Sequence, residues 1–342
     1  MKVLVTGGAG YIGSHTVLCL LERGYEVVVY DNLCNSSVES LSRVQKLTGS
    51  NVEFVEGDIQ HEDKLNSVFT NHQIDAVIHF AALKAVGEST QIPLSYYQNN
   101  VYGTVCLLGV MAKHNVTDFI FSSSATVYGE ENDIPYVETM KLGTPSSPYG
   151  ASKVMVERIM VDIAIADENF RGVSLRYFNP IGAHESGDIG EDPKGIPNNL
   201  LPFVAQVAVG KREKLNIFGD NYPTEDGSCE RDYLHVMDLA EGHVAALDWL
   251  KNNKGFTGIE SFNLGTGVGT SVFEIVKAFE LATSVTIPFE VSAPRDGDLP
   301  AFWANTSKAN QILNWRAKRG LQQMMSDTWR WQSRNPNGFE SI

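Results

Sequence analysis

Val3-Leu-Val-Thr-Gly7-Gly-Ala-Gly10-Tyr-Ile-Gly13 decides the fold. An apolar run ends in three glycines spaced G-x-x-G-x-x-G, and a stretch of helical character follows them. Lys2–Thr6 therefore reads as a strand and Ile12–Arg23 as a helix. Between them Gly7, Gly10 and Gly13 let the backbone turn tightly and approach a pyrophosphate. Unpaired N–H groups and the dipole at the helix start favour that anion. Tyr11 and Ile12 open the helix and belong to the same expected cradle.

Outward from this loop, short apolar runs alternate with helical stretches. Glu26–Tyr30, Asn51–Val55, Ala76–Phe80, Asp118–Phe121 and Gly172–Phe178 read as further strands. Strands apolar almost throughout and separated by helices predict a parallel sheet covered on both faces. The fold class is doubly wound α/β, Rossmann-type, with a second, smaller α/β substrate domain. The expected division is 1–180 for the cofactor and 181–342 for the substrate, with roughly 235–265 returning to the large domain. Gly182–Asn198 reads as a long loop, Leu200–Val209 as a helix, and Leu215–Phe218 and Phe289–Val291 as short strands. Asp238–Leu250 (helix) and Ser261–Leu264 (strand) form the candidate return.

Asp31 follows the second strand, 18 residues after Gly13. A carboxylate there accepts hydrogen bonds from the adenosine ribose diol and repels a 2′-phosphate, which selects NAD over NADP. Asn32, Asn35 and Ser36 are expected to line the same ligand, with no compensating positive charge among them. Asp58, with Ile59 after it, ends the third strand; it either bonds the adenine amino group or caps the next helix.

The chain has 342 residues, 43% hydrophobic and 20% charged, which predicts a large core rather than disorder. Its net charge of −14 argues against nucleic acid and anionic membranes, both of which need a basic face. No apolar stretch reaches membrane-spanning length and the N-terminus lacks a signal-peptide core, so a cytoplasmic location is expected. Cys19, Cys34, Cys106 and Cys229 form no C-x-x-C pair, so buried thiols in a reducing compartment are expected and a metal is not.

Tyr149-Gly-Ala-Ser-Lys153 places a phenol and an amine on one helix face. Ser122-Ser-Ser-Ala-Thr126 follows an apolar strand, where ligands bind in this architecture. A free tyrosine has a pKa of about 10, and lowering it by two to three takes roughly 3–4 kcal/mol. A neighbouring ammonium and a positive nicotinamide ring both act in that direction. Tyr149 is thus the candidate base for a hydroxyl whose carbon loses a hydride, and Ser124 and Thr126 are candidates to bond the same oxygen. Ser122 is expected on the cofactor side.

These motifs resemble the extended short-chain dehydrogenase/reductase superfamily. His79-Phe-Ala-Ala-Leu-Lys84, Asn99-Asn100, Ser122–Gly129, Arg176-Tyr-Phe-Asn-Pro180, Gly195–Leu200, Tyr222–Gly227 and Arg231-Asp-Tyr-x-His235-Val-x-Asp238 further resemble the UDP-galactose 4-epimerases. The resemblance implies interconversion of UDP-galactose and UDP-glucose through a transient 4-keto sugar, with tightly bound NAD. It implies that Lys84 contacts the NAD phosphates and that Phe80, Ala81, Ala82, Asn99 and Phe178 line the cofactor. It assigns Tyr177, Asn179, Asn198, Asn199 and Leu200 to the nucleotide sugar, and Ile217 and Phe218 to the uracil. It gives Arg231 and Arg295 to the diphosphate, counts Asp298 among the substrate-binding residues, and makes Phe302 a wall of the sugar pocket that excludes N-acetylated sugars. Relatives are commonly homodimers, and the apolar stretches Val101–Met111 and Val154–Ile165 either supply that interface or belong to the core. Another NAD-dependent nucleotide-sugar enzyme on the same scaffold, a 4,6-dehydratase or decarboxylase, is the nearest rival, yet Ala125-Thr126-Val127 offers no carboxylate for eliminating water. A non-catalytic NAD-sensing protein is the second, and the intact Ser124, Tyr149 and Lys153 argue against it.

Overall fold

The computed structural model describes residues 1–197, 199–295 and 298–340. One sheet contains β1 (Lys2–Thr6), β2 (Glu26–Asp31), β3 (Glu53–Glu56), β4 (Ala76–His79), β5 (Asp118–Ser122), β6 (Arg171–Tyr177) and a seventh strand, Gly258–Leu264. Every pairing in it is parallel. The spatial order is seventh, β6, β5, β4, β1, β2, β3. Chain order therefore reverses between β1 and β4, and in such sheets the crevice at that switch point holds the ligand.

The apolar runs are explained by burial on both faces. Val3 and Val5 point to one core with Val17, Leu18, Leu41, Val44, Leu239 and Val244. Leu4 and Val28 point to the other with Leu65, Phe69, Leu107, Met111, Val156 and Met160. Successive side chains on a strand take opposite faces, so each five-residue strand feeds both cores. The helices are Tyr11–Glu22, Val38–Thr48 and Val236–Asn252 on one side, and Glu62–His72, Gly103–Lys113 and Pro148–Ala166 on the other.

A third core lies outside this sheet. Leu201, Val204, Leu215, Ile217, Ile275, Phe279 and Met325 gather beneath helices Leu200–Ala208, Val272–Thr283 and Leu321–Arg334. Leu215–Phe218 pairs in parallel with Phe289–Ser292. Ser271 and Glu274 close a capping box at the start of Val272–Thr283, satisfying two otherwise orphaned donors. The chain returns to the large sheet as the seventh strand, which starts at Gly258, three residues before the expected Ser261. Among the described residues of Gly182–Asn199 there is neither helix nor strand. One expectation is corrected here: three of the cysteines are buried, but Cys34 is exposed, because it sits in the turn after β2 with no layer above it. Among the described residues no helix is long and apolar enough to cross a membrane.

Candidate active site

The glycine loop is built for close approach. Gly7 has φ +70°, and a Cβ there would stand 2.7 Å from the Ala81 nitrogen, so only glycine lets β1 and β4 open onto one crevice. A Cβ on Gly13 would collide with the Gly7 carbonyl, so the helix starts directly on the loop. Gly10 is the N-cap and supplies no side-chain cap, which leaves the first N–H groups of Tyr11–Glu22 available. These features fit a dinucleotide pyrophosphate.

A cavity of about 650 Å³ runs from this loop. It gathers Gly7, Gly10, Tyr11, Ile12, Gly13, Asp31, Asn32, Asn35, Ser36, Ile59, Phe80, Ala81, Ala82, Lys84, Asn99, Tyr149, Lys153 and Tyr177. Asp31 is buried; its carboxylate accepts from the Ala9 N–H at 3.0 Å, the Leu33 N–H at 2.9 Å and the Ser36 hydroxyl at 2.8 Å. Three donors fix its orientation and leave acceptor capacity for a ribose diol. Asp58, Ser122, Ser124 and Phe178 are not among the lining residues. Asp58 accepts from the Asn32 amide at 2.9 Å and the Gln60 N–H at 2.9 Å. Burial pushes its pKa up, and these donors outweigh burial and hold it below the ordinary aspartate value. Phe178 packs with Tyr136 and Phe302. Lys84 is paired with Glu191 at 3.3 Å, so its ammonium already has an anionic partner in the cleft.

Ser147 caps helix Pro148–Ala166 by accepting from the Gly150 N–H, and Pro148 occupies the first turn. That fixes Tyr149 at the mouth of the helix and Lys153 one turn further in. Lys153 donates to the Ser122 carbonyl at 2.7 Å, and its ammonium lies 5.8 Å from the Tyr149 ring centroid. Ser122 also donates to the Tyr177 hydroxyl at 3.2 Å. Thr126 donates its N–H and its hydroxyl to Ser124 Oγ, at 3.2 and 3.0 Å, which leaves the Ser124 proton for the Tyr149 oxygen.

Electrostatics modify the expected charge pattern. Burial raises the Tyr149 phenol well above its ordinary pKa, Tyr177 adds to this, and the Ser124 hydroxyl acts the other way. Burial pulls Lys153 down to about 7, against a smaller opposing pull from Glu157. Desolvation thus dominates both groups in the protein alone. A positive nicotinamide ring bound nearby would favour the Tyr149 phenolate.

On the substrate side, Arg231 and Arg295 converge on Asp298, at 3.6 and 2.8 Å. The Arg231 guanidinium lies 4.6 Å over the Phe302 ring, and that of Arg295 lies 4.8 Å over Phe218. The register explains the first contact, since Ala301–Phe302 pairs with Glu230–Arg231 and places Phe302 beside Arg231. Asn179 follows β6 and donates its N–H to the Asp232 carbonyl. Asn199 precedes helix Leu200–Ala208, donates to Glu191 at 3.1 Å, and leaves that helix without a side-chain cap. Leu200 packs against the third core. The expectation for Ile217 is corrected in part: its side chain is buried in that core because strand alternation turns it inward, while Phe218 turns outward. Asn198 lies outside the described residues.

The comparisons agree with this geometry. A family model described as GDP-mannose 4,6 dehydratase matches residues 4–328. A UDP-glucose 4-epimerase of Erwinia amylovora is 61% identical over 338 residues, 99% of each chain. The chain belongs to the UDP-glucose 4-epimerase family. The crystal structure of the Bifidobacterium longum epimerase, in complex with NAD+ and UDP, has a TM-score of 0.95 and 49% identity, covering 99% of this chain and 100% of that one. An epimerase of Stenotrophomonas maltophila, with bound NAD and formylated UDP-arabinopyranose, has a TM-score of 0.95 at 46% identity, covering 98% and 99%.

Around the cavity, sequence alone assigns no individual role to His79, Asn100 or Lys194. His79 is buried between Thr6 and Thr104, at 2.6 and 2.8 Å. The Thr104 hydroxyl spends its proton on the Asn100 carbonyl, so His79 Nε2 carries the hydrogen and Nδ1 accepts from Thr6. Burial and Lys153 keep this ring neutral. Asn100 joins the Leu83 backbone to Ser152 on the Tyr149 helix. Lys194 reaches from the long loop to the Leu33 and Cys34 carbonyls, at 2.8 and 3.1 Å, beside the cofactor cavity. A polar residue at the end of an apolar run was the available signal for His79. Lys194 carried none.

Proposed function

We propose that this protein interconverts UDP-galactose and UDP-glucose by epimerisation at C4, without net redox. The observation that carries the reading is that Tyr149 and Lys153 line the cavity that the glycine loop and Asp31 also line, with Ser124, just past the end of β5, in hydrogen-bond contact with Tyr149. The glycine loop, Asp31 and the Tyr149–Lys153 helix would hold NAD there, and it would supply reversible hydride transfer. Tyr149 takes the C4 hydroxyl proton as the hydride leaves, and gives it back when the hydride returns to the opposite face. Ser124 holds the C4 oxygen, and Lys153 favours the phenolate. Arg231 and Arg295 clamp the diphosphate, so the keto sugar turns about a fixed anchor. Incubating the purified protein with UDP-galactose, without added NAD, tests this; UDP-glucose is the expected product.

Asn179, Asn199 and Phe218 complete the nucleotide-sugar contacts, and Phe302 sets the sugar scope. The chain divides at about 180, with residues 235–265 returning to the cofactor domain; the seventh strand and a core shared by helices Tyr11–Glu22 and Val236–Asn252 support this. It works as a homodimer. Tyr102 and Val105 on one helix, and Met155, Val161 and Ile165 on its neighbour, are large apolar side chains exposed on one monomer. A dimeric mass in solution, lost on Val105→Glu, is the expected result. A cytoplasmic location accords with four unpaired thiols. The dehydratase reading is disfavoured because Ala125 and Thr126 follow Ser124, and the buried carboxylate nearest in this network, Glu157, is already engaged by Arg176 and Ser123.

A further inference from the structure

Behind the catalytic face lies a buried polar cluster with no counterpart in the mechanism. Glu157 is two helical turns beyond Tyr149 and one beyond Lys153, on the same helix face. It is only 4% exposed, and its partner Arg176 on β6 is 5% exposed. Arg176 Nη2 meets Glu157 Oε2 at 2.6 Å, and Nε bridges both oxygens at 3.1 and 3.2 Å. Ser123, fully buried between Ser122 and Ser124, donates to Glu157 Oε1 at 2.6 Å. Arg176 Nη1 continues to the Tyr128 hydroxyl at 3.1 Å, which donates to Asn263 at 2.6 Å on the seventh strand. One carboxylate therefore joins the helix of Tyr149 and Lys153, the serine turn and β6.

A buried ion pair is a poor source of stability, since an apolar replacement of the same shape often does as well. Its value here is its place. We propose that Glu157, held by Arg176, is a positioning residue: it anchors the serine turn through Ser123 and keeps Lys153 cationic for the reaction. This rests on the epimerase reading above. The groups facing Lys153 are Tyr149 and Glu157 on its own helix, the Ser122 carbonyl and Phe121 ring on β5, and His79 on β4; on β6, Tyr177 accepts from Ser122 and Arg176 is held by Glu157. His79 is held neutral and Tyr177 is a phenol, so Glu157 is the anion that favours the ammonium; the direction of its pull on Lys153 agrees.

The test is the pH profile of kcat for UDP-galactose turnover in wild type, Glu157→Gln and Glu157→Asp, each checked for bound NAD and cooperative melting. A cationic Lys153 is needed, so activity falls as pH rises through its titration. Glu157→Gln keeps a hydrogen-bonding side chain and loses the charge. Its alkaline limb is expected to move to lower pH by about one unit or more, the usual effect of removing a nearby opposite charge. Glu157→Asp restores the charge and is expected to fall between the two, with KM little changed throughout. If Glu157→Gln does not fold, because Arg176 is left buried and unpaired, Glu157→Gln/Arg176→Met removes both charges, and a smaller shift of the alkaline limb in the same direction is expected because the cation goes with the anion. An unshifted limb, or a loss of kcat equal at every pH, overturns the proposal. If wild type itself fails to interconvert the two sugars, the epimerase reading fails instead.

Discussion

Phe302→Cys removes a ring that touches three parts of the site at once. Its centroid lies 6.0 Å from that of Phe178 and 6.4 Å from that of Tyr136, with the Arg231 guanidinium at 4.6 Å. Truncating a fully buried phenylalanine costs about 3–5 kcal/mol; Phe302 is partly exposed and cysteine keeps its Cβ, so about 2 kcal/mol of stability is the expected loss. Arg231 loses its aromatic platform, worth about 0.5–1 kcal/mol, which corresponds to a roughly two- to five-fold rise in KM for UDP-galactose. The larger effect concerns UDP-N-acetylgalactosamine. An acetamido group forced against the ring meets an overpacking penalty of about 1–3 kcal/mol, and removing the ring relieves it. Its kcat/KM is therefore expected to rise about tenfold or more while that for UDP-galactose falls slightly. Phe302→Tyr keeps the ring and should keep the discrimination. Steady-state kinetics with both sugars on the three proteins, beside their melting temperatures, decide the matter. Equal use of the two sugars by wild type, or a cysteine variant that folds yet gains nothing on the N-acetylated sugar, refutes the assignment of Phe302 as the wall.

Tyr149→Phe keeps the ring and removes the proton acceptor, and turnover should fall roughly 10²–10⁴-fold with NAD still bound; wild-type rates would move the base elsewhere. Gly13→Ala puts a methyl into the Gly7 carbonyl and should yield protein that copurifies with little NAD, as measured in the supernatant after denaturation. Burial holds His15 and His79 at about 3 and His243 at about 4, against 6.5 when free. Below pH 6.5 the unfolded chain binds protons that the native state refuses, so stability present above that pH is lost as pH falls toward 4. With three such groups the slope approaches about 4 kcal/mol per pH unit; a urea midpoint unchanged between pH 7 and pH 5 would contradict it.

Most of the sheet was legible because a strand buried on both faces has an apolar signature that survives without its partners. The seventh strand shows the limit. Gly258–Leu264 pairs with Arg171–Tyr177, more than eighty residues earlier in the chain, and no local pattern specifies a parallel partner at that distance. At the site, Gly7, Asp31, Tyr149 and Lys153 were legible because their spacing carries chemistry. Ile217 and Phe218 show what a segment alone leaves open: strand alternation buries the first side chain and exposes the second. Glu157 was visible only as a charge in a mainly apolar helix, and its meaning came from Arg176 and Ser123, which folding brings to it. The Lys84–Glu191 pair was hidden for the same reason.

The central claim is that one hydride leaves C4 and returns to C4 of the same sugar. UDP-galactose carrying deuterium at C4, incubated with the purified protein and no added NAD, tests it most directly, with mass and NMR analysis of the sugars. The expected result is UDP-glucose with the deuterium still at C4 and no accumulation of free NADH. Steady release of NADH, or UDP-glucose that has lost the label, would contradict it.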